Sequence, residues 1–307
     1  MTSVSNPKAT IAVVGASSMV ASRFCDLTKN NFNLVKGDLS GKIAVDITRE
    51  KSVSDFFKNH KFDWVFLFAA FTDVDAAEKE RGNKGGLCWK INVGGVQNIV
   101  EECAAGKKNL LFISTDFVFD GSDGPYDENS PAGPDLDKVS WYGITKLEAE
   151  RLIQKTLKKF IILRISYPFR GPFSGKDDQV KRILRLYDAG NLYPMFDDQT
   201  ITPTFVDDVS PAVSLLFKKG ARGIFHLASP KITNHFEFAK KVLETFGKDT
   251  DELKRGSIVE FLKNPSVTPR PVNGGLKVEK LRKLGFLSTD WEKGIEAVFL
   301  QSGGKLI

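Results

Sequence analysis

The sequence predicts an α/β protein with a doubly wound parallel sheet and a smaller, discontinuous C-terminal lobe. Three observations support this prediction. Short apolar runs rich in β-branched residues recur through the first half of the 307 residues. Amphipathic stretches long enough to cross a sheet face separate these runs, and the alternation stops near residue 166. Repeated βαβ units produce this pattern.

The predicted strands are the short apolar runs. Six of them lie before residue 166, at residues 10–14, 34–36, 43–45, 64–68, 110–113 and 161–164. A further strand at 224–227 is expected to return to the same sheet. The predicted crossover helices include residues 52–59, 94–105 and 141–158.

The chain is expected to divide after residue 166. Pro168, Gly171, Pro172 and Gly175 crowd a loop that precedes an amphipathic stretch at 179–189. We predict a Rossmann sheet domain made of residues 1–166 and about 205–230, and a second lobe made of about 167–204 and 231–307. The first would bind a nucleotide and the second its substrate.

The charge distribution excludes some partners. Lys and Arg outnumber Asp and Glu by 44 to 38, and the basic residues are spread along the chain. Because nucleic-acid binding usually needs a concentrated basic stripe, no nucleic-acid partner is expected. The net charge of +6 better suits a few cations near an anionic small molecule.

Cysteine and histidine usage gives no sign of a metal or disulfide. The three cysteines lack CxxC spacing, and the three histidines lack metal-ligand spacing, so the histidines are expected to be surface or packing residues. Free cysteines fit a reducing cytosol, and we expect a cytoplasmic protein. No signal peptide or run of about 18 apolar residues is seen, so no membrane partner is expected.

The turn after the first strand is the predicted dinucleotide site. Of the GxxGxxG spacing, only Gly15 is kept, with Ser18 and Ala21 in the later positions. These replacements are small, so backbone N–H groups at the start of the following helix can still approach a pyrophosphate. The cofactor contacts predicted here are Gly15, Ser17, Ser18, Met19 and Val20.

Two later turns are expected at the same sheet edge. Asp46 and Ile47 follow the third predicted strand, and Ala69, Ala70 and Phe71 follow the fourth. Open α/β sheets bind ligands at the carboxyl ends of their strands, so all five are candidate cofactor contacts.

The choice between NAD and NADP stays open at this stage. Asp38, near the end of the second strand, could accept a hydrogen bond from a ribose 2′-hydroxyl. Lys36, Lys42 or Arg23 could instead pair with a 2′-phosphate.

A YxxxK pair at the start of a predicted helix forms the candidate catalytic centre. Tyr142 and Lys146 share a helix face, and an ammonium one turn away would bring a phenol closer to working range. Ser114 and Thr115 end a predicted strand and offer hydroxyls at the same sheet edge.

Several segments resemble the dTDP-4-dehydrorhamnose reductases, a family of extended short-chain dehydrogenases/reductases. Residues 112–121 resemble its ISTDxVFDG segment, 69–78 its AAxTxVDxAE stretch, 91–93 its INV, 199–206 its QxxxPTxV loop and 270–271 its late RP. These segments occur in the family's order and cover most of the chain to about residue 286.

The resemblance implies an NADPH- or NADH-dependent reduction of a nucleotide-linked keto-deoxysugar. Thr115 would polarise the carbonyl, Tyr142 would deliver the proton, and Lys146 would hold the nicotinamide ribose and lower the pKa of Tyr142. The implied substrate contacts are Asp116, Phe117, Tyr167, Arg170 and Arg270, with Lys176 and Arg182 as further diphosphate candidates. Family members can use Mg²⁺, but no local motif demands it, and a homodimer is compatible with the resemblance.

Two departures from the family pattern concern the substrate. Tyr167 stands where the family usually has Trp, and Phe68 replaces an Asn before the alanine pair. A different nucleotide sugar is therefore compatible with the sequence.

Two other functions stay open on the sequence alone. The same superfamily contains the regulatory β-subunit of methionine adenosyltransferase, which binds dinucleotide and serves a partner enzyme. Nucleotide-sugar epimerases share the scaffold too, and Asp116 and Glu128 could supply the extra acid or base that such chemistry needs.

Overall fold

The computed structural model describes residues 8–306. Its eight strands are β1 (Thr10–Val14), β2 (Asn33–Gly37), β3 (Trp64–Leu67), β4 (Asn109–Thr115), β5 (Phe160–Ile165), β6 (Met195–Phe196), β7 (Gly223–Leu227) and β8 (Arg255–Gly256). Six of them form one parallel sheet in the order β2-β1-β3-β4-β5-β7. The chain runs outward in both directions from β1, so the carboxyl ends of β1 and β3 flank the crevice where such sheets bind ligands.

Helices cover both faces of the sheet. The helices are α1 (Met19–Thr28), α2 (Glu50–Asn59), α3 (Val74–Glu78), α4 (Leu87–Trp89), α5 (Val96–Ala105), α6 (Trp141–Thr156), α7 (Gln179–Asp188), α8 (Val209–Lys218), α9 (His235–Thr245), α10 (Ile258–Phe261), α11 (Glu279–Lys283) and α12 (Trp291–Gln301). α1, α8 and α11 pack on one face, and α2, α5 and α6 pack on the other. Burial on both faces explains why the strands are almost wholly apolar.

One predicted strand is wrong. Residues 43–45 form no sheet strand, and their pairing is limited to an isolated bridge between Asp38 and Ala44. The Asp38 N–H donates to the Ile43 carbonyl at 3.1 Å, and the Val45 N–H donates to the Asp38 carbonyl at 2.7 Å. A parallel neighbour of β2 needs a crossover of a dozen or more residues, which this segment lacks.

The other elements lie close to their predicted positions, with one local difference. The helix predicted from residue 94 is preceded by a π-helical turn, Lys90–Gly95, before α5 begins. Such turns are rare and often occur at functional sites. Within the residues described here, no helix has the length and apolar character to cross a membrane.

A separate apolar core lies outside the sheet layers. It joins buried residues of α7, α9 and α12 with the segment around Phe169 and Phe205. These helices lie in residues 167–204 and 231–307, the ranges predicted for the second lobe, whereas Phe205 lies in the range predicted for the sheet domain. α11 is an exception, because Leu281 packs into the core of the sheet domain.

Candidate active site

A cavity of about 590 Å³ opens at the carboxyl edge of the sheet. It extends from the turn between β1 and α1 to the start of α6, and its far wall is formed by residues 165–179. The predicted site residues that line it include Ser17, Ser18, Met19, Val20, Ala70, Thr115, Asp116, Phe117, Tyr142, Lys146, Tyr167 and Lys176. The structure therefore brings the predicted nucleotide turn and the predicted catalytic centre to one cavity.

The β1–α1 turn depends on its single glycine. Gly15 has φ +81°, and a Cβ placed there would lie 2.5 Å from the backbone nitrogen of Ala69. Glycine therefore lets two adjacent strand ends approach each other. Ser18 is the N-cap of α1, and Met19 and Val20, whose first-turn N–H groups have no intrahelical acceptor, line the cavity.

The structure narrows the candidates for cofactor discrimination. The Asp38 carboxylate accepts from the N–H groups of Ser17 at 2.7 Å and Leu39 at 2.8 Å, which fixes it beside the turn. Arg23 donates to both carboxylate oxygens of Asp207, at 2.7 and 2.6 Å. Arg23 is therefore engaged elsewhere, whereas Lys36 and Lys42 remain exposed.

The approach of α6 places Tyr142 beside Thr115. The Ser140 hydroxyl caps the helix by accepting from the Gly143 N–H at 3.2 Å. A Cβ on Gly143 would lie 2.1 Å from the Phe117 carbonyl oxygen, so only glycine allows the helix to pack this closely against the turn after β4.

Lys146 is almost completely buried, with 2% exposure. Its Nζ donates to the Ile113 carbonyl at 2.7 Å and lies 3.8 Å from the ring centroid of Phe112. Burial lowers the pKa of Lys146 to about 7, against the opposing influence of the Glu150 carboxylate and the Cys88 thiol. Contacts with β4 therefore hold the Lys146 Nζ at the cavity.

The lowering of the Tyr142 pKa by Lys146 stays a prediction, because the influences that act on this phenol in the structure come from other groups. The pKa of Tyr142 is raised above its ordinary value, because burial disfavours phenolate and the Asp116 carboxylate repels it. The Thr115 hydroxyl acts in the opposite direction but does not compensate. Tyr142 is therefore protonated at neutral pH, the state that a proton donor requires.

A buried carboxylate lies beside the reactive groups. Burial raises the pKa of Asp116 to about 6, while hydrogen bonds from Ser166 and Thr115 oppose the rise. The Ser166 hydroxyl donates to Oδ2 at 2.6 Å, and the Thr115 hydroxyl donates to Oδ1 at 3.3 Å. Thr115 also accepts from the Phe117 N–H at 3.2 Å.

Tyr167 forms the wall opposite the catalytic helix. Its φ of +40° is a conformation that a bulky residue seldom adopts, so the surrounding structure must hold it there. Its ring centroid lies 5.8 Å from that of Phe117 and 4.9 Å from that of His235, and its hydroxyl lies 3.4 Å from the Gln199 side-chain nitrogen. Burial and the nearby Arg270 charge lower the pKa of His235 to about 4, so the imidazole beside Tyr167 is neutral at neutral pH.

Five predicted cofactor residues do not line the cavity: Gly15, Asp46, Ile47, Ala69 and Phe71. Ala69 packs against Gly15, and the Asn92 side chain holds the Phe71 backbone. Asp46 accepts from the backbone and hydroxyl of Thr48 at 2.9 and 2.7 Å, which closes a local turn. Ile47 is 5% exposed and belongs to the core between α2 and α5.

Neither predicted substrate arginine lines the cavity. Arg170 donates to the Met19 carbonyl at 2.8 Å and to the Ser22 hydroxyl at 2.9 Å, so it joins the second lobe to α1. Arg270 pairs with Asp75 at 2.7 Å and is 21% exposed. Arg170 is therefore a bridging residue, whereas Arg270 retains some access and also acts electrostatically on Tyr167 and His235.

Two groups of site residues were missed from the sequence. The first includes Thr72, Phe173, Asp177, Asp178 and Gln179, which line the cavity together with the predicted Lys176. The second is Asn92, which is 1% exposed and holds the Phe71 backbone. The INV segment contains Asn92 and was a signal that this residue matters, but residue spacing could not show that Asn92 binds the Phe71 backbone. Within residues 8–306, no group of three or more His, Cys, Asp or Glu side chains is arranged to hold a metal ion.

The sheet order, the β1–α1 turn and the joined Thr115, Tyr142 and Lys146 set define an extended short-chain dehydrogenase/reductase. A family model described as the RmlD substrate binding domain matches residues 9–302, and the chain belongs to that family.

The similar proteins agree over most of the chain. A dTDP-4-dehydrorhamnose reductase of Sinorhizobium fredii is 30% identical, over 82% of this chain and 85% of its own length. The spore coat polysaccharide biosynthesis protein SpsK of Bacillus subtilis is 29% identical, over 93% and 95%. A crystal structure of dTDP-4-dehydrorhamnose reductase from Bacillus anthracis in complex with NADP has a TM-score of 0.85 and 26% identity, covering 96% of this chain and all of that one.

Proposed function

We propose that this protein is an NAD(P)H-dependent reductase of a nucleotide-linked keto-deoxysugar, of the dTDP-4-dehydrorhamnose reductase kind. The observation that supports this most directly is the single cavity lined by both the β1–α1 turn and the three reactive side chains. The relatives named as dTDP-4-dehydrorhamnose reductases support the substrate class, and the solved relative bound to NADP supports the cofactor. Polysaccharide biosynthesis is the corresponding role.

The cofactor site is proposed to follow the nucleotide turn. The N–H groups of Met19 and Val20 would meet the pyrophosphate at the positive end of α1. Ala70 lines the same cavity, and Asp38, which accepts from the Ser17 N–H of the turn, would accept from a ribose hydroxyl. Lys146 would hold the nicotinamide ribose.

The reaction is proposed to need one proton and one hydride. A reduced nicotinamide supplies the hydride when it is bound. The Thr115 hydroxyl would donate to the carbonyl oxygen, and the protonated Tyr142 phenol would transfer its proton to that oxygen as charge develops. Because the resting phenol is protonated, the site is prepared for reduction of a carbonyl.

The sugar nucleotide is proposed to lie between the catalytic helix and the second lobe. Phe117 and Tyr167 would contact the sugar, and Asp116 would accept from its hydroxyls. Lys176 lines the cavity and is the exposed cation proposed to meet the diphosphate, and the partly exposed Arg270 is a second candidate. Tyr167 in place of the family's Trp changes the shape of this wall.

The test is an NADH and NADPH oxidation screen over keto-sugar nucleotides, beginning with dTDP-4-keto-6-deoxyhexoses. We expect turnover that depends on both substrates and yields one reduced sugar per cofactor oxidised. Absence of turnover with all of them, together with a stoichiometric enzyme partner in a pull-down, would favour a regulatory subunit. Tightly bound NAD with no net cofactor consumption would favour an epimerase.

A further inference from the structure

A fully buried ion pair lies behind the catalytic helix. Glu150 is 0% exposed and follows Lys146 by one turn of α6. Arg164 of β5, 2% exposed, donates to its two carboxylate oxygens at 2.9 and 2.6 Å. Removing two charges from water is unfavourable, and hydrophobic replacements are often as stable, so a pair this deep calls for a role besides stability.

The carboxylate is held by a row of residues that crosses three strands. Ser114, Arg164 and His226 are register partners on β4, β5 and β7. The Ser114 hydroxyl donates to Glu150 Oε1 at 2.5 Å, and Arg164 Nη1 lies 3.3 Å from His226 Nε2. A guanidinium only donates, so His226 accepts and is neutral. Burial and Arg164 lower the pKa of His226 to about 3, which keeps it neutral.

The same helix makes a second bond to the same strand. Lys146 donates to the Ile113 carbonyl, so residues i and i+4 of α6 bind two consecutive residues of β4. Thr115 is the next residue of that strand, and Tyr142 lies one turn before Lys146 on the helix. Both reactive hydroxyls are thus attached to elements that these two bonds join.

We propose that Glu150 is a positioning residue for the reduction, because its carboxylate, fixed by Arg164 and Ser114, favours the ammonium form of Lys146 one turn away and fixes α6 against the end of β4. This inference rests on the proposed reductase function. Glu150 is fully buried and does not line the cavity, so it acts through Lys146 and through the strand.

Several ionisable groups surround Lys146. They are Tyr142 and Glu150 on α6, Cys88 on α4, Asp116 after β4, and Arg164 on β5 behind Glu150. Glu150 is the largest influence that opposes the effect of burial on the pKa of Lys146. Its loss should therefore move that pKa below about 7, and Lys146 should lose its proton at lower pH.

The experiment compares Glu150→Gln with the wild-type chain. The titration of Lys146 is followed by NMR of ¹³C-labelled lysine, with its resonance assigned by its absence in Lys146→Arg. We expect the titration midpoint to fall by about one pH unit, and the alkaline limb of kcat to move with it, while KM for the cofactor changes by less than about twofold. Glu148→Gln is the matched control, because Glu148 lies on the same helix, is 37% exposed and pairs with Arg151. An unshifted Lys146 titration in Glu150→Gln overturns the proposal.

A second variant covers the case in which Glu150→Gln does not fold, since Arg164 would lose its counter-charge. Ser114→Ala removes one hydrogen bond and leaves the ion pair intact. We expect kcat to fall about tenfold with KM for the cofactor unchanged. Wild-type kcat in Ser114→Ala would refute the positioning role. If the wild-type chain reduces no keto-sugar nucleotide, the proposed function fails, whereas the NMR titration still reports on Glu150.

Discussion

The side-chain amide of Asn92 binds both the N–H group and the carbonyl group of Phe71. Its Oδ1 accepts from the Phe71 N–H at 2.8 Å, and its Nδ2 donates to the Phe71 carbonyl at 3.0 Å and to the Thr145 hydroxyl at 3.0 Å. Asn92 lies in the π-helical turn before α5. The Asn92 side chain of this turn therefore joins the loop after β3 to the catalytic helix α6.

Replacing Asn92 with Ala should destabilise the protein and weaken cofactor binding. The substitution leaves part-buried backbone groups of Phe71 without their side-chain partner, and we expect a loss of about 1–3 kcal/mol in the free energy of unfolding. Because Ala70 lines the cavity beside Phe71, the Kd for NAD(P)H should rise about tenfold. Urea unfolding and fluorescence titration measure the two effects. Gln97→Ala, on the exposed side of α5, should change neither, and a similar loss in that control would contradict this role.

Tyr142→Phe should lower kcat by at least about 100-fold while cofactor affinity changes little. The phenol supplies the proton, whereas the ring alone fills the same space. Steady-state kinetics with a keto-sugar nucleotide, alongside a direct measurement of cofactor Kd, separate the two effects. Turnover at the wild-type rate would refute the proton-transfer role.

Asp38 should make NADH the preferred cofactor. Its carboxylate is fixed beside the nucleotide turn by the Ser17 N–H, where it would repel a 2′-phosphate and accept from a 2′-hydroxyl. We expect kcat/KM with NADH to exceed that with NADPH by about tenfold, and Asp38→Ser to reduce or reverse the difference. If the wild-type chain prefers NADPH, the exposed Lys36 or Lys42 governs the choice instead.

Asp116→Asn should stabilise the protein at alkaline pH and not in acid. The pKa of Asp116 is raised to about 6 in the folded state, so the folded protein binds this proton more tightly than the unfolded chain. The stabilisation from that proton is complete below the unfolded pKa of about 4 and is lost as pH rises through about 6. The neutral amide should therefore add about 1–3 kcal/mol at pH 8. Equal shifts in Tm at pH 4 and pH 8 would contradict this account.

Much of the fold follows from local sequence patterns. β1 and α6 start at their predicted residues, because buried parallel strands and amphipathic helices differ in hydrophobic period. Residues 43–45 show the limit, since their apolar run packs under the sheet edge without joining it. Whether a strand can pair depends on the length of its connection as well as on its composition.

The site was predictable where its residues belong to sequence motifs. It was less predictable where a residue's role depends on its hydrogen-bond partners in the fold. Thr115, Tyr142 and Lys146 come from two segments, and both segments line the cavity. Arg170 had the right chemistry for phosphate, yet its guanidinium is bound by the Met19 carbonyl and the Ser22 hydroxyl. Residue spacing could not predict the raised pKa of Tyr142 either, because burial of the phenol is its main cause.

The wall around Tyr167 has a consequence for how new specificities arise. The groups proposed for chemistry come from β4 and α6, whereas the facing surface comes from the segment between β5 and the first turn of α7. Exchanging that segment between relatives would change the shape of the ligand-binding wall without disturbing the reactive hydroxyls. The unusual backbone at Tyr167 limits such exchanges, because a transplanted segment must also supply the contacts that hold a left-handed residue in place. Grafts that include Gln199 and His235 should therefore fold more often than grafts of the loop alone.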